Sequence, residues 1–129
     1  MKTNENKTSI LYQFLTTIWG ISDIEYQKRI WIRGEGPEWD DFTETVCHFF
    51  DDGDPILEKY KEYGISDKQY EILKKFRDDF EAFSDGYSEA FEFIDTPEWA
   101  EIMEKAKDVL KAFNFVKKTY LSRPQKLDD

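Results

Sequence analysis

The sequence predicts an all-α fold, a compact bundle of five or six helices in a single domain, and three observations support this. Apolar residues recur at intervals of three and four along nearly the whole chain, which is the period of an amphipathic helix. Capping residues and Gly or Pro breakers divide the chain into segments of helical length. The 129 residues suffice for one domain whose core needs neither a disulfide nor a metal.

The first two elements are predicted from apolar spacing and from one capping pattern. A first helix ends at Gly20, and its apolar face comprises Ile10, Leu11, Phe14, Leu15, Ile18 and Trp19. Ser22, followed three residues later by Glu25, has the pattern of a capping box that begins a second helix. That helix runs to Arg33, although the alternating apolar residues of 29–33 would also suit a short strand.

The breakers in the middle of the chain predict two further helices. A third helix covers 37–50, with Pro37 in its first turn. Residues 51–54, of sequence DDGD, are predicted to form a turn. Asp54 then caps a short helix that has Pro55 at its first position and ends near Gly64.

The last two helices have the clearest signals. Ser66 and Gln69 form a second capping box, and the inward residues of that helix are Tyr70, Leu73, Phe76, Phe80 and Phe83. Thr96 followed by Pro97 begins the final helix, whose inward residues are Trp99, Ile102, Met103, Ala106, Val109, Leu110 and Phe113. Residues 84–95 are expected to be loop or a short helical turn. These two helices, predicted to be the longest, should pair antiparallel.

The single domain spans 1–129, with an ordered core at about 8–115 and a polar, basic tail at 116–129. One cysteine, Cys47, excludes an intramolecular disulfide and is typical of a reducing compartment. The polar start of the chain does not have the pattern of a secretion signal, and no apolar run is long enough to span a membrane. We therefore expect a cytoplasmic protein.

Acidic residues are segregated along the chain, which has a formal net charge of −10. Residues 34–55, the first acidic segment, contain eight carboxylates and no Lys or Arg. Residues 78–104, the second acidic segment, contain ten and again no Lys or Arg. Such a field favours a basic partner and disfavours nucleic acids and anionic membranes. The alternative is that the acids only keep the protein soluble.

The predicted third helix separates an apolar face from an acidic one. At 100° per residue, one arc contains Trp39, Phe42, Val46, Phe49 and Phe50, and the opposite side contains Asp40, Asp41, Glu44, His48 and Asp51. In the second acidic segment, basic partners are expected to end at Asp78, leaving the following acids near Tyr87 and Phe91 exposed. The expected partner-binding residues are Glu38, Asp40, Asp41, Glu44, His48, Asp51, Asp52, Asp78, Asp79, Glu81, Asp85 and Tyr87.

The motifs indicate no enzyme, metal or cofactor. Asp41, Glu44 and His48 could converge on a transition metal, but His48 is the only histidine and nothing completes the set. The DDGD sequence lacks the glycine position and terminal glutamate of a calcium loop. Cys47 points about 100° away from His48 on a helix, so a catalytic pair is disfavoured. We expect Cys47 to be a small, half-buried filler.

Three segments resemble a known group of proteins. They are WIRGEGPEW at 31–39, the DDF that follows it at 40–42, and DPILE at 54–58. Together with the acidic, aromatic-rich and cysteine-poor character of 8–115, they resemble bacterial immunity proteins of contact-dependent inhibition and related polymorphic toxin systems. The resemblance implies a cytosolic, non-enzymatic protein that binds and neutralises one cognate basic toxin domain, often a nuclease. The alternatives are a nucleic-acid mimic that inhibits a DNA-binding enzyme, a general interaction domain, or a small-molecule enzyme.

Overall fold

The structure is a computed structural model that describes residues 2–36 and 40–115, and these residues form an all-α fold without strands. The five α-helices are α1 (Lys2–Ser22), α2 (Ile24–Tyr26), α3 (Phe42–Glu58), α4 (Asp67–Ser84) and α5 (Pro97–Ala112). Three shorter elements are the π-helix Gln27–Ile32 and the 3₁₀ helices Tyr60–Tyr63 and Ala90–Glu92. The predicted tail at 116–129, the predicted helix start at Pro37, and Glu38 and Trp39 lie outside the described residues.

The four long helices pack as a closed bundle, because α1 and α4 each contact both α3 and α5. Helices α4 and α5 are antiparallel, as predicted. Gln69 near the start of α4 donates to the carbonyl of Ala112 at the end of α5, at 3.1 Å, and Lys105 reaches Asp79 at 3.1 Å. The longest helix is nevertheless α1, with 21 residues.

The core is built largely from aromatic rings. The centroid of the Phe93 ring lies 4.6 Å from the ring centroids of both Phe42 and Trp99. Phe14 of α1 stacks on Phe49 of α3 at 5.2 Å, and all five rings are nearly inaccessible to solvent. Each such ring pair contributes about 0.5–1.5 kcal/mol beyond the burial of its area. The predicted inward residues of α4 and α5 are all buried or half-buried, which confirms those two faces.

The predicted caps of the last two long helices are confirmed. The Ser66 hydroxyl accepts the backbone N–H of Gln69, and the Gln69 side chain accepts the backbone N–H of Ser66. Thr96 caps α5 by accepting the N–H of Trp99 at 3.2 Å. Between these helices, the expected short helical turn within 84–95 is the 3₁₀ helix Ala90–Glu92.

The predicted junction between the first two helices is wrong. Helix α1 continues past Gly20 to Ser22, whose hydroxyl donates to the carbonyl of Trp19 at 2.7 Å and caps nothing. Asp23 is the cap of α2, because its carboxylate accepts the N–H of Tyr26 at 2.9 Å. An aspartate carboxylate satisfies a free N–H of a first turn as well as a serine hydroxyl does.

The possible strand at 29–33 is also wrong, because the chain forms a π-helix there. The N–H of Arg33 donates to the carbonyl of Lys28 at 3.0 Å, which is the i to i−5 bond of that helix. Ile30 and Trp31 are both buried although they are adjacent. A strand would direct neighbouring side chains to opposite faces, whereas the wide π turn directs both inward.

Helix α3 differs most from its prediction. Asp40 and Asp41, which were predicted to be helical, precede the helix. It begins at Phe42 with Asp41 as its cap, and it continues through the predicted turn at 51–54 to Glu58. Gly53 does not end the helix because it is buried against Phe14, where a Cβ atom would lie 2.6 Å from the ring. Pro55 lies inside α3 and begins no new helix. Tertiary packing therefore outweighs the two local breakers.

Candidate functional site

The solvent face of α3 presents acidic side chains along most of its length. Asp41, Glu44, His48 and Asp51 are exposed, and Asp52 is half-buried. Asp41 also contributes to the fold, because its carboxylate accepts the backbone N–H of Glu44 at 2.8 Å. Four of the five side chains therefore face solvent in one strip, which we call the α3 acidic strip (Asp41, Glu44, His48, Asp51 and Asp52).

The α3 acidic strip has no basic counterpart in the part of the chain that the structure describes. Within 4 Å of its carboxylates there is no Lys or Arg nitrogen among residues 2–36 and 40–115; the one ion pair is between His48 Nε2 and Glu44 Oε1, at 3.5 Å. His48 carries charge only when it is protonated. The negative field of the strip is therefore not cancelled locally.

Asp40 is placed differently from its expected position on the exposed acidic face. It is half-buried, and its carboxylate accepts the Tyr26 hydroxyl at 2.8 Å, the Trp31 indole N–H at 3.0 Å, and the Thr45 hydroxyl at 3.0 Å. These bonds join the α2 and π-helical region to the first turn of α3. The geometry thus gives Asp40 a structural role that the helical wheel did not indicate.

An open groove of about 360 Å³ lies between α1 and the first half of α3. We call it the Asp40 groove. Its walls include Thr16 and Thr17 from α1 and Thr45 and His48 from α3. Asp40 and Tyr26 also line it. The polar atoms of these side chains are set in a lining whose exposed surface is mostly apolar. His48 belongs both to the wall of the groove and to the α3 acidic strip.

The second acidic segment is compensated further than we expected. Arg77 of α4 contacts Asp54, Asp78 and Glu81, with N to O distances of 3.0, 3.2 and 2.8 Å. Lys74 reaches Asp78 at 2.8 Å. That hydrogen bond, assisted by Arg77, lowers the pKa of Asp78, and the carboxylates raise the pKa of Arg77, with the Asp54 hydrogen bond as the largest cause.

Basic partners also extend past Asp78. Asp79 lies 3.1 Å from Lys105 of α5 and 3.4 Å from Lys75. The expectation that compensation ends at Asp78 is therefore wrong. Each of these exposed pairs contributes only about 0–1 kcal/mol, but together they neutralise Asp78, Asp79 and Glu81 within the fold. These three expected site residues are less available to a partner than the strip on α3.

The end of the second acidic segment presents an aromatic side chain to solvent. Phe91 is 72% exposed, the largest value among the exposed large apolar residues. Tyr87 is half-buried and packs on Phe83 and Phe93 at 4.8 and 5.1 Å, and Asp85 is exposed at the end of α4. Phe93 itself is completely buried in the core.

The turn that carries Phe91 is held in place beside the start of α3. The Glu92 carboxylate accepts the backbone N–H groups of Glu89 and Ser88, each at 3.0 Å, and these bonds, the Glu89 one foremost, lower the pKa of Glu92. The Thr43 hydroxyl of α3 donates to the carbonyl of Ser88 at 3.3 Å. The turn that carries the exposed ring is therefore bonded to α3 at Thr43, which lies on a different side of the helix from the α3 acidic strip.

The thiol of Cys47 is exposed, not half-buried as we expected, because Cys47 lies on α3 outside the buried face. Within 2–36 and 40–115, no group of three or more His, Cys, Asp or Glu side chains could hold a metal ion. The described helices include none that is long and apolar enough to cross a bilayer.

Comparison with known proteins gave no further guide to the site. No protein-family model, curated protein or solved structure matches the chain.

Proposed function

We propose that the protein is a non-enzymatic immunity protein that binds and neutralises a cognate basic toxin domain, a nuclease, in the cytoplasm. The observation that carries the proposal is the α3 acidic strip, whose carboxylates have no Lys or Arg partner within the described residues. The resemblance of 31–42 and 54–58 to immunity proteins supports the same function.

The charges of such a pair would be complementary. A nuclease gathers phosphates with Lys and Arg side chains, and a helix lined with carboxylates can occupy the same cleft and exclude the substrate. Electrostatic attraction of this kind raises association rates by up to about 10³ at low salt. An inhibitor that must act before its target cleaves nucleic acid benefits directly from that rate.

Affinity would depend on a small number of buried contacts. An interface of standard size buries about 1,600 Å² in total, and aromatic anchors contribute a large part of its energy. Phe91 is suited to this role because its ring is exposed and its turn is held by the hydrogen bonds that Glu92 accepts. The charges of the α3 acidic strip would then set orientation and partner choice.

The exposure and pairing of the side chains favour some of the expected contact residues over others. Glu44 and Asp51 are exposed and make no hydrogen bond through their side chains to the backbone of the described residues. Asp40 is instead tied to three donors, and Asp78 is paired with Lys74. We therefore place the centre of the contact on the α3 acidic strip, with Phe91 as a separate anchor.

The test reverses two charges of the strip. The Glu44→Lys, Asp51→Lys variant changes one Glu and one Asp spaced by seven residues on α3. Its control is Glu101→Lys, Asp108→Lys, which makes the same change at the same spacing on two exposed positions of α5. The partner is the basic C-terminal domain of a secreted effector encoded immediately upstream, produced as a purified protein.

At an ionic strength of about 0.1 M, we expect the α3 variant to lower the association rate by about 10-fold or more. The α5 control should stay within about twofold, because attraction then acts locally within a Debye length of about 10 Å. Phe91→Ala should mainly raise the dissociation rate. Growth of cells that co-express the toxin domain gives a second readout. An association rate that is insensitive to salt and equal in both double variants would refute the proposal.

A further inference from the structure

The Asp40 groove contains more hydrogen-bond acceptors than donors. Thr16 and Thr17 each donate their hydroxyl proton to a backbone carbonyl one turn earlier in α1, at 2.9 and 3.3 Å. Thr45 donates its proton to Asp40 at 3.0 Å. A hydroxyl has one proton and two lone pairs, so in this arrangement the three oxygens offer a ligand lone pairs and no proton.

The groove also contains a negative charge that the fold does not neutralise. The donors to Asp40 are the neutral groups of Tyr26, Trp31 and Thr45, and no Lys or Arg within 2–36 and 40–115 forms an ion pair with this carboxylate. Because Asp40 is half-buried, its charge is screened by solvent less than that of the exposed acids. The groove therefore suits a cation that has several donors.

We propose that the Asp40 groove receives an arginine side chain of the basic partner, an inference that rests on the proposed function. The guanidinium group has five N–H donors in a planar fork, no acceptor and a permanent charge. It can bond to the carboxylate of Asp40 and to threonine oxygens at the same time. A lysine ammonium has three donors and satisfies fewer of these acceptors, and an anion would find no donor from the three threonines.

The position of the groove fits this role. Thr45 and His48 line it, and His48 is also part of the α3 acidic strip, so a side chain that enters the groove comes from a partner already seated on the strip. The volume of about 360 Å³ lies at the lower end of the range of small-ligand sites and is sufficient for one guanidinium group with part of its chain.

The test uses N-acetyl-arginine amide as the probe and the Trp31 indole signal in a proton–nitrogen correlation spectrum as the readout, because this N–H donates to Asp40 at 3.0 Å. We expect a saturable shift with a dissociation constant on the order of 1–10 mM, as for a fragment-sized ligand. N-acetyl-citrulline amide has the same shape without the charge and should give no saturable shift. N-acetyl-lysine amide should bind more weakly than the arginine probe.

Two variants separate the site from the rest of α3. Asp40→Asn keeps an amide oxygen for Tyr26 and Trp31 and removes the charge, and we expect it to weaken arginine binding at least about 10-fold, the effect of a charged hydrogen bond. Asp51→Asn removes the same charge from an exposed position of α3 and should leave binding unchanged. Thr17→Val removes one acceptor without touching Asp40 and should weaken binding severalfold.

The inference is overturned if the Trp31 indole signal does not saturate as the arginine probe is added. It is also overturned if the citrulline probe shifts that signal as much as the arginine probe does. Unchanged binding by a folded Asp40→Asn protein would overturn it as well. Failure here is distinguishable from failure of the proposed function, because Glu44 and Asp51, which carry the charge-reversal test, do not line the groove. Reversal of Glu44 and Asp51 can abolish toxin capture even if the groove does not bind the arginine probe. The groove can also bind the probe even if that reversal leaves toxin capture unchanged.

Discussion

Gln27 is expected to contribute more to stability than any exposed polar residue of the protein. It is completely buried, and its amide nitrogen donates to the carbonyls of Gly20 and Ile21, both at 2.9 Å. Its amide oxygen accepts the indole N–H of Trp99 at 2.8 Å. One side chain therefore closes the C-terminal end of α1 and joins it to α5.

The Gln27→Leu substitution keeps nearly the same volume and removes all three hydrogen bonds. Each buried group left without a partner costs about 1–3 kcal/mol. The Gly20 carbonyl retains a long bond to the N–H of Asp23, at 3.5 Å, so the main losses are at Trp99 and Ile21. Burial of the leucine side chain offsets about 1 kcal/mol of the loss from the broken hydrogen bonds. We expect the free energy of unfolding to fall by about 3 kcal/mol, against a typical total of about 5–15 kcal/mol.

Urea denaturation followed by far-ultraviolet circular dichroism measures this change. With an m value of about 2 kcal/mol/M, typical of small domains, the midpoint should fall by about 1.5 M. Gln13→Leu is the matched control, because Gln13 lies on the exposed side of α1 and its substitution should change the free energy of unfolding by about 0.5 kcal/mol or less. A Gln27→Leu protein within about 1 kcal/mol of the wild type would refute this reasoning.

Three further substitutions test the fold. Gly53→Ala should lower the free energy of unfolding by about 1–3 kcal/mol, because the new Cβ would lie 2.6 Å from the Phe14 ring; urea denaturation measures it. Pro55→Ala should raise the free energy of unfolding by about 1 kcal/mol, because alanine restores a backbone N–H that can donate to the carbonyl of Asp51 within α3. Glu92→Gln should lower stability at neutral pH but not in acid, because the pKa of Glu92 is below its ordinary value of 4.5 in the folded state. The contribution of the Glu92 carboxylate to the free energy of unfolding is present above pH 4.5 and is lost as the pH falls through its folded-state pKa. Thermal unfolding at a series of pH values measures this loss.

Each of these has a control and a contradicting outcome. Gly86→Ala places a Cβ at an ordinary 3.7 Å from the nearest atom, so equal losses at positions 53 and 86 would contradict the packing argument. A less stable Pro55→Ala protein would show that proline restricts the unfolded chain more than it weakens α3. Asp95→Asn removes an exposed acid for which no hydrogen bond is described, and the same pH dependence in both acid variants would contradict the role of Glu92.

The second half of the fold could be predicted because its signals are local. Ser66 with Gln69, and Thr96 with Pro97, are patterns in which three or four consecutive residues satisfy the free N–H groups of a first turn. Apolar spacing then assigns the buried faces of α4 and α5. No distant residue is needed for either step, and both helices have the predicted caps.

The first half could not be predicted to the same extent, because distant contacts decide it. Gly53 is compatible with a helix only because Phe14, far away in sequence, fills the space that a side chain would need. Asp40 and Asp41 are adjacent aspartates that the sequence does not distinguish, yet the three groups that donate to Asp40 come from positions 26, 31 and 45. Arg77 reaches Asp54 across 23 residues. A helical wheel treats such residues as equivalent, and tertiary structure separates them.

The length of α3 decides whether folding needs its exposed acids. Asp51 is not at a helix end but near the middle of Phe42–Glu58, where the helix dipole neither favours nor penalises a charge appreciably. Glu44 lies in the first turn, where the dipole contributes only about 0.3–1 kcal/mol. Neither side chain fills space in the core or holds a distant element. Reversal of Glu44 and Asp51 therefore changes the field of the α3 acidic strip with little effect on folding, whereas reversal of Asp40 would remove structural hydrogen bonds and confound binding with stability.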